Sequence, residues 1–442
     1  MMLLAVLVLA GATVIDGTGA PSRKADVVIE GERIVCVAAQ CPRPKDAEVI
    51  DATGKFVIPG LVDMHAHLLT HPWDEKGDLE PRWDRPSVKQ MLATFLALGV
   101  TTIRDPGSET GDAVMIRRQL AEGKLAGPRL VTAGRILNAS SFNPEPFVTV
   151  RTEDAVRDEV RWQAAAGVDL IKVYSSMPPA LVAAAIDEAH KLGLPVIGHV
   201  QRTTWTEAAR LGIDGLEHPA PWSVEYVRDA DQASWPESMF GRVYWLEHLD
   251  PKRIDEMVAE LAKNRVVVDP TLMAMHTKFW GDDPRYTQNP DNQLAPERIR
   301  KGWPNGRFTK GWTAEQYAAS QKAWPLLLAL TKKMYDAGIP LVAGTDTPTP
   351  WIVPGASLHD ELRLLHDAGI PPLQVIKIAT SNAARAMRKE NELGAVKKGL
   401  VADLVVLDRS PLDDIGNTRA IAMVIQRGKR IQNVGPALQP AQ

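Results

Sequence analysis

The chain has 442 residues, of which 45% are hydrophobic and 24% charged, and its formal net charge is −3. This length and composition are typical of a globular protein with one large α/β domain and a smaller one. The small net charge argues against a nucleic-acid partner, and the two cysteines exclude a disulfide-rich scaffold and a four-cysteine zinc site.

Residues 1–12 are apolar and uncharged, but a membrane span needs about 20 residues. They resemble the apolar core of a signal peptide without its basic start. A strand and turn are predicted directly afterwards, at Thr13–Gly19, so we favour a first strand and a cytoplasmic protein. Export is the alternative, if residues 1–11 are the remnant of a signal. No later run predicts a transmembrane helix, and we expect no membrane partner.

Residues 1–58 predict a small β layer, with strands at Ala12–Ile15, Asp26–Glu30 and Arg33–Val37. Cys36 and Cys41 lie in or beside the third strand. We favour two unpaired thiols over a local disulfide, which would be more expected in an exported protein.

From Pro59 onwards, strand-like runs alternate with helical ones, near 87–98, 152–166, 178–192, 204–211, 251–264 and 313–337. Eight such strands in about 300 residues favour an α/β fold with a (β/α)8 barrel over residues 59–390. Strand-like runs return in residues 391–442, so we expect a small β-sandwich domain built from both chain ends, 1–58 and 391–442. The barrel strands are predicted to end at His67, Asp105, Ala133, Tyr174, Val200, His218, Thr271 and Asp346.

The segment from Met273 to Trp312 shows little periodicity and predicts a long loop. A loop of this length is often a lid or a substrate wall. Its tryptophans, Trp280, Trp303 and Trp312, favour a wall, and a surface insertion is the alternative.

Polar residues stand at the carboxyl ends of the barrel strands, where barrels of this kind carry their functional groups. His65 and His67 are two positions apart, so on a strand they share one face and offer half of a metal site. A lone His-x-His pattern is weak, but it gains partners at other strand ends. The candidate metal ligands are His65, His67, Lys172, His199, His218 and Asp346.

Lys172 lies in an apolar strand, where a charged ammonium is costly. An ammonium cannot bind a metal, but a lysine that has reacted with carbon dioxide becomes an anionic carbamate with two ligand oxygens. Such a group can bridge two divalent ions. Imidazole and carboxylate ligands suit Zn, Mn or Fe, and we expect zinc.

Several motifs together resemble the amidohydrolase superfamily, in its two-metal form with a carboxylated lysine. The resemblance covers residues 12–431 and rests on Pro59–His67, Ile171–Val173, Gly198–His199, Leu216–His218, Gly344–Asp346 and Leu393–Leu407. Further runs resemble the branch that holds Xaa-Pro dipeptidases, related metallo-carboxypeptidases and imidazolonepropionase-like proteins: Gly99–Asp105, Gly127–Arg129 and His359–Leu365.

The resemblance implies that His65, His67 and Asp346 bind one metal, that His199 and His218 bind the other, and that carboxylated Lys172 bridges both. It further implies that a water between the metals attacks the substrate carbonyl while Asp346 acts as base and then as acid. Lys172 and Asp346 are therefore the predicted catalytic residues.

Two departures argue against dipeptidase specificity. Gln201 stands where the dipeptidase-like members often have a tyrosine, and the loop Asn138–Pro144 lacks a Gly-Gly-His run. Tyr174 and Arg202 are candidate substrate-binding residues, with a packing tyrosine and a solvated arginine as the alternatives. His71 and His276 are interpreted as loop histidines.

The predicted function is therefore a metal-dependent hydrolase of an amide or peptide-like C–N bond in a small molecule, such as an N-acyl amino acid or dipeptide. Hydrolysis of a cyclic amide, lactone or ester is the alternative. A single-metal deaminase leaves Lys172 without a role, and a non-catalytic barrel does not explain a complete ligand set. A homo-oligomer stays open.

Overall fold

The computed structural model describes residues 6–69, 83–141, 146–236, 245–305 and 311–432. His71 and residues 142–144 of the loop Asn138–Pro144 lie outside this part of the chain. The strands, in chain order, are β1 (Val6–Val14), β2 (Arg23–Glu30), β3 (Arg33–Ala38), β4 (Glu48–Asp51), β5 (Phe56–Pro59), β6 (Leu61–Asp63), β7 (Val100–Asp105), β8 (Arg129–Thr132), β9 (Ile136–Asn138), β10 (Phe147–Thr149), β11 (Ile171–Val173), β12 (Val196–Gly198), β13 (Gly215–Glu217), β14 (Val267–Asp269), β15 (Leu404–Leu407), β16 (Ile421–Gln426) and β17 (Lys429–Arg430).

Helices follow most barrel strands. They are α1 (Arg85–Ala97), α2 (Thr110–Ala121), α3 (Glu153–Ala166), α4 (Pro179–Lys191), α5 (Trp205–Leu211), α6 (Pro251–Lys263), α7 (Leu272–Phe279), α8 (Pro284–Thr287), α9 (Glu297–Gly302), α10 (Ala314–Asp336), α11 (Ala356–Asp367), α12 (Pro372–Lys377) and α13 (Ala383–Ala386).

Local sequence explains where several of these helices begin and end. Thr204 caps α5 by accepting a hydrogen bond from the Glu207 backbone N–H. The Glu207 carboxylate in turn accepts from the Thr204 backbone N–H, which completes a capping box. Gly212 then ends the helix in the left-handed conformation, which glycine adopts without a steric penalty. These caps account for the agreement between the predicted helix near 204–211 and α5.

The barrel is a ring of parallel strands, as predicted. β6, β7 and β8 pair in parallel, and so do β9, β11, β12, β13 and β14. Residues 341–346 form the eighth, extended segment of the ring. The Met64 backbone N–H donates to Ala343 O at 2.9 Å, the Val268 N–H to Pro340 O at 3.0 Å, and the Asp169 N–H to Thr132 O at 2.9 Å. These bonds join the strand groups to one another and to this segment.

Strands from both ends of the chain form one sheet beside the barrel. Its order is β17-β16-β15-β5-β1-β2-β3, and β4 pairs with β1. β5 therefore joins the two chain ends by pairing with β1 on one side and with β15 on the other. Because β5 runs through Gly60 directly into β6, this sheet is continuous with the first barrel strand. The domain boundaries at 58/59 and 390/391 stay predictions.

β1 begins at Val6, earlier than the predicted strand, and pairs with β2 from Val6 to Val14. The apolar residues from Val6 onwards are therefore part of the sheet. None of the described helices is long and apolar enough to cross a membrane.

A disulfide joins Cys36 and Cys41, whose Cα atoms are 6.1 Å apart. This corrects the expectation of two unpaired thiols. β3 ends at Ala38, and the chain then turns so that Cys41 lies beside the strand, within the Cα separation that a disulfide requires.

The segment 273–312 is also different from the prediction, because much of it is helical rather than a loop. It contains α7, α8 and α9, and His276 is a buried residue of α7. The ring of Trp280 stacks on that of His276 at 4.2 Å. Trp303 is buried and donates to Pro348 O at 3.2 Å, so it packs into the fold.

Asp26 anchors the turn after β3 to β1. Its carboxylate is buried and accepts hydrogen bonds from the backbone N–H of Gly11 at 2.9 Å, that of Cys41 at 3.3 Å and Arg43 at 3.0 Å. Burial raises the pKa of Asp26, but these three donors outweigh burial and lower the pKa on balance.

We expect Asp26→Asn to lower the free energy of unfolding at pH 7 by about 1–3 kcal/mol, because the charged acceptor is lost. Because the pKa of Asp26 is lowered in the folded protein, its stabilising contribution is complete above the pKa of the unfolded state, about 3.9. The contribution is lost as the pH falls through the lower pKa of the folded state. Urea unfolding of both proteins from pH 7 to pH 3 measures the difference, which should shrink with acid. Asp46→Asn, at an exposed position, is the control. An equal loss at every pH would contradict the account.

Candidate metal centre

The six candidate ligands lie at the same end of the barrel strands. Five of the strands or extended segments supply them. His65 and His67 follow β6, Lys172 lies in β11, His199 follows β12, His218 follows β13, and Asp346 ends the extended segment 341–346.

His65, His67 and Asp346 form one compact group. The Nε2 atom of His65 lies 3.5 Å from Asp346 Oδ1, and the Nε2 atom of His67 lies 3.7 Å from the same oxygen. One ligand atom from each of the three residues falls within 4.8 Å of the others. Two imidazole nitrogens and a carboxylate oxygen at this spacing are able to share one divalent ion.

His199 and His218 form a neighbouring pair. Their ring centroids are 4.4 Å apart, and the His218 ring is 5.3 Å from that of His65. The Nδ1 atom of His218 is 2.8 Å from Thr271 Oγ1, which fixes the orientation of that ring. The amide nitrogen of Gln201 lies 3.4 Å from His199 Nε2.

Three of the histidines, His65, His199 and His218, are in the form that binds metals. Burial lowers the pKa of His65 to about 4 and holds the pKa values of His199 and His218 well below their usual range. The imidazoles are therefore neutral at physiological pH, and neutral imidazole is the form that coordinates a metal ion.

Lys172 is buried, and its charge acts on His65 of the first group and on His199 of the second. Its Nζ atom has no hydrogen-bond partner among the described residues. Burial lowers the pKa of Lys172 to about 8, which increases the share of neutral amine at neutral pH. A buried amine without a partner, beside neutral imidazoles and a carboxylate, fits a carbamate that bridges two ions.

Oδ1 of Asp269, at the end of β14 beside His65, is another of the buried polar atoms that lack a hydrogen-bond partner within the described chain. Buried polar groups normally have partners, and isolated exceptions often mark a site for an ion or ligand. The donor set and these two atoms together make the residues suitable for divalent metal ions.

Several site residues have a strained backbone. His218 has a φ of 76°, Asp346 of 66° and Thr271 of 41°. Left-handed conformations are uncommon outside glycine, most of all for a β-branched residue such as Thr271, and they cluster at functional sites. The close packing here also requires Gly344, because a Cβ at that position would lie 2.3 Å from Asp269 Oδ2.

Sequence reasoning missed a charged network beneath His65. Arg104, at the end of β7, donates from Nη2 to Glu217 Oε1 at 2.9 Å and to Asp269 Oδ2 at 3.4 Å. Glu217 Oε2 is 2.6 Å from His65 Nδ1. Burial acts to raise the pKa of Glu217, but the positive charge of Arg104 is the main influence that brings the pKa well below its usual range. The available signals were an Arg-Asp pair ending an apolar strand and a glutamate directly before His218.

Lys278 was also missed. It is a buried residue of α7, the helix that follows β14, and its charge acts on His199, His218 and Asp346. Glu361 holds the start of this helix by accepting from the backbone N–H of Leu272 at 3.0 Å. A lysine in an apolar stretch is the same signal that identified Lys172.

The two predicted substrate residues lie in different settings. The Tyr174 ring is half-buried and contacts the rings of His199 at 4.7 Å and Phe147 at 4.9 Å. Burial raises the pKa of Tyr174, so its hydroxyl stays protonated. The Arg202 side chain is exposed, and its backbone N–H donates to Ser175 O at 2.9 Å.

Comparison with known proteins places this chain among hydrolases. The model of the amidohydrolase family matches residues 56–431. Ochratoxinase from Aspergillus niger is 23% identical over 499 aligned residues, which cover 98% of this chain and 88% of that protein.

Two further similarities are instructive. N-acyl-D-glutamate deacylase from Alcaligenes xylosoxydans xylosoxydans is 48% identical over 61 residues, covering 14% of this chain and 12% of that protein. The crystal structure of a Xaa-Pro dipeptidase with methionine bound in its active site superposes with a TM-score of 0.71 and 20% identity, covering 97% of this chain and all (100%) of the other. This likeness establishes the shared fold.

Proposed function

The chain belongs to the amidohydrolase family and is a hydrolase, and from this membership we propose that it cleaves an amide or peptide-like C–N bond with two divalent metal ions. The substrates we propose are N-acyl amino acids or dipeptides. The observation that carries the proposal is the buried Lys172 amine, which lacks a hydrogen-bond partner within the described chain. It interacts electrostatically with Glu217 and Asp346, and its charge acts on three of the candidate histidine ligands, His65, His199 and His218.

In this proposal His65, His67 and Asp346 would hold one ion, and His199 and His218 would hold the other. Lys172, as a carbamate formed with carbon dioxide, would supply a ligand to both, and zinc is the proposed metal. When bound, the ions would ionise a water near neutral pH and polarise the substrate carbonyl.

Asp346 is the proposed proton carrier. Its Oδ1 atom faces the Nε2 atoms of both His65 and His67, at 3.5 and 3.7 Å, so the carboxylate lies beside the residues that would hold the first ion. It would take the proton of that water and pass it to the leaving nitrogen, acting as base and then as acid. Without this second transfer, the amine would have to leave as an anion.

Lys278 supports a substrate that bears a negative charge. N-acyl amino acids and dipeptides both carry a free carboxylate, and Lys278 places a buried positive charge close enough to act on Asp346, His199 and His218. A charge-assisted hydrogen bond in a buried site is stronger than one between neutral groups. Lys278 is therefore the proposed carboxylate anchor, while contact of Tyr174 or Arg202 with the substrate stays a prediction.

We expect Lys278→Met to raise KM for an N-acyl amino acid roughly 10- to 100-fold, because the variant loses one charge-assisted hydrogen bond to the substrate. The matching N-acyl amino acid amide, which has no carboxylate, should be unaffected. Steady-state kinetics on both compounds measure the difference. Lys322→Met, at an exposed position of α10, is the control. An equal loss on both substrates would show that Lys278 has a structural role only.

The function itself is tested with a substrate panel on zinc-loaded protein. The panel contains N-acyl amino acids, dipeptides, cyclic amides, lactones and aryl esters. The proposal predicts the highest kcat/KM on one of the first two classes. A clear preference for lactones or esters would replace it with the alternative, since the same centre is able to attack any of these carbonyls.

A further inference from the structure

Glu217 lies behind the candidate metal site, in contact with His65. Its Oε2 atom is 2.6 Å from His65 Nδ1, and both residues are almost fully buried, at 2% exposure each. The other nitrogen of the same ring, Nε2, faces Asp346 at 3.5 Å. The His65 imidazole is thus placed between a carboxylate on one side and the metal site on the other.

Arg104 determines the state of Glu217. Its Nη2 atom donates to Oε1 at 2.9 Å and approaches Oε2 at 3.2 Å, and its Nε atom donates to Met64 O at 2.6 Å. A guanidinium has only donors, so all three of these contacts require acceptors. The Met64 carbonyl holds Arg104 in place, and Arg104 keeps Glu217 as an ionised acceptor.

An ionised carboxylate can only accept, so His65 must carry its proton on Nδ1. Its Nε2 atom is then unprotonated, with the lone pair on the side of Asp346. That tautomer is able to bind a metal ion through Nε2, whereas the opposite one would present an N–H to the site.

We propose that Glu217, held by Arg104, is a positioning residue that fixes the metal-binding tautomer of His65. This inference rests on the proposed metal function of His65, His67 and Asp346. Glu217 does not touch the substrate in this account, and it acts only through His65.

Glu217→Gln tests the inference, because the amide keeps the shape of the side chain but gains a donor. Arg104 requires an acceptor, so the amide oxygen should turn to Arg104 and the NH2 group to His65. Nδ1 of His65 then becomes an acceptor, and the proton moves to Nε2. We expect this variant to bind one of the two zinc ions about 10- to 100-fold more weakly.

The double variant Arg104→Met/Glu217→Gln separates tautomer control from simple damage to the fold. Without Arg104, the amide of Gln is free to rotate, so its oxygen can accept from His65 Nδ1 again. We expect the double variant to bind zinc more tightly than Glu217→Gln alone. A purely structural role predicts instead that the second substitution adds to the loss.

The readouts do not depend on turnover. Nitrogen-15 spectra of histidine-labelled, metal-free protein report the tautomer of His65, and competition with a chelator reports zinc affinity. Asp26→Asn is the matched control, because it neutralises another buried and ion-paired carboxylate, in β2 of the sheet beside the barrel. It should leave both readouts unchanged.

The inference is overturned if wild-type His65 carries its proton on Nε2. This test uses the wild-type protein alone, so it does not depend on whether a variant folds. It is also overturned if Glu217→Gln keeps wild-type zinc affinity, or if the double variant is weaker than the single one. Wild-type protein that binds no divalent ion would refute the proposed function as well. If the variants bind two ions and the tautomer of His65 is unchanged, the inference would be refuted but the proposed function would not.

Discussion

Lys172→Ala should lower kcat on an N-acyl amino acid or dipeptide substrate by about a thousandfold or more. In the proposed centre, this substitution would remove the ligand common to both ions, and a bound ion contributes several kcal/mol of transition-state stabilisation. Metal analysis should find fewer than two ions per chain in this variant. Short carboxylic acids such as propionate should restore part of the activity, because they place a carboxylate in the space that the lysine leaves.

Lys191→Ala, at an exposed position of α4, is the control and should behave as wild type. Wild-type turnover in Lys172→Ala would refute the carbamate role. A low turnover that no carboxylic acid restores, with two ions still bound, would mean that Lys172 acts through its amine and not through a carbamate.

Asp346→Asn should lower kcat by roughly 10²- to 10⁴-fold, the range of general acid–base catalysis, with little change in KM. Asparagine keeps an oxygen that can face the ion, and it tolerates the left-handed backbone of this position, where φ is 66°. It cannot accept and return the proton. Steady-state kinetics and metal analysis of the same sample separate loss of the proton carrier from loss of the metal.

The control for this substitution is Asp336→Asn, at an exposed position of α10. A variant that retains wild-type kcat would require a different base. A variant that loses both metal and activity would show that Asp346 is mainly a ligand, and the proton transfer would need another group.

The barrel was predictable because its strands are short apolar runs that end in polar residues. Lys172 stood out in such a run, and His65 and His67 shared one face by their spacing alone. The caps of helices such as α5 also lie within a few residues of each other, so local sequence specifies them. These features depend on periodicity and on neighbouring residues, which a single sequence contains.

The charged network beneath the site depends on residues far apart in the chain. Glu217 and His65 are 152 positions apart, and no local pattern pairs them. The helix that carries Lys278 was not predicted because every residue of α7 is buried, so it has no polar face and no amphipathic period. The disulfide depended on the path of the turn after β3. Tertiary packing decided each of these features.

The proposed function requires two metal ions at this centre for hydrolysis of an amide bond. Protein stripped of metal with a chelator should be titrated with zinc in the presence of bicarbonate, and amide hydrolysis recorded at each addition. We expect no activity without zinc and a rise in activity that ends at two equivalents per chain. Full activity in metal-free protein, or a rise that ends at one equivalent, would contradict it.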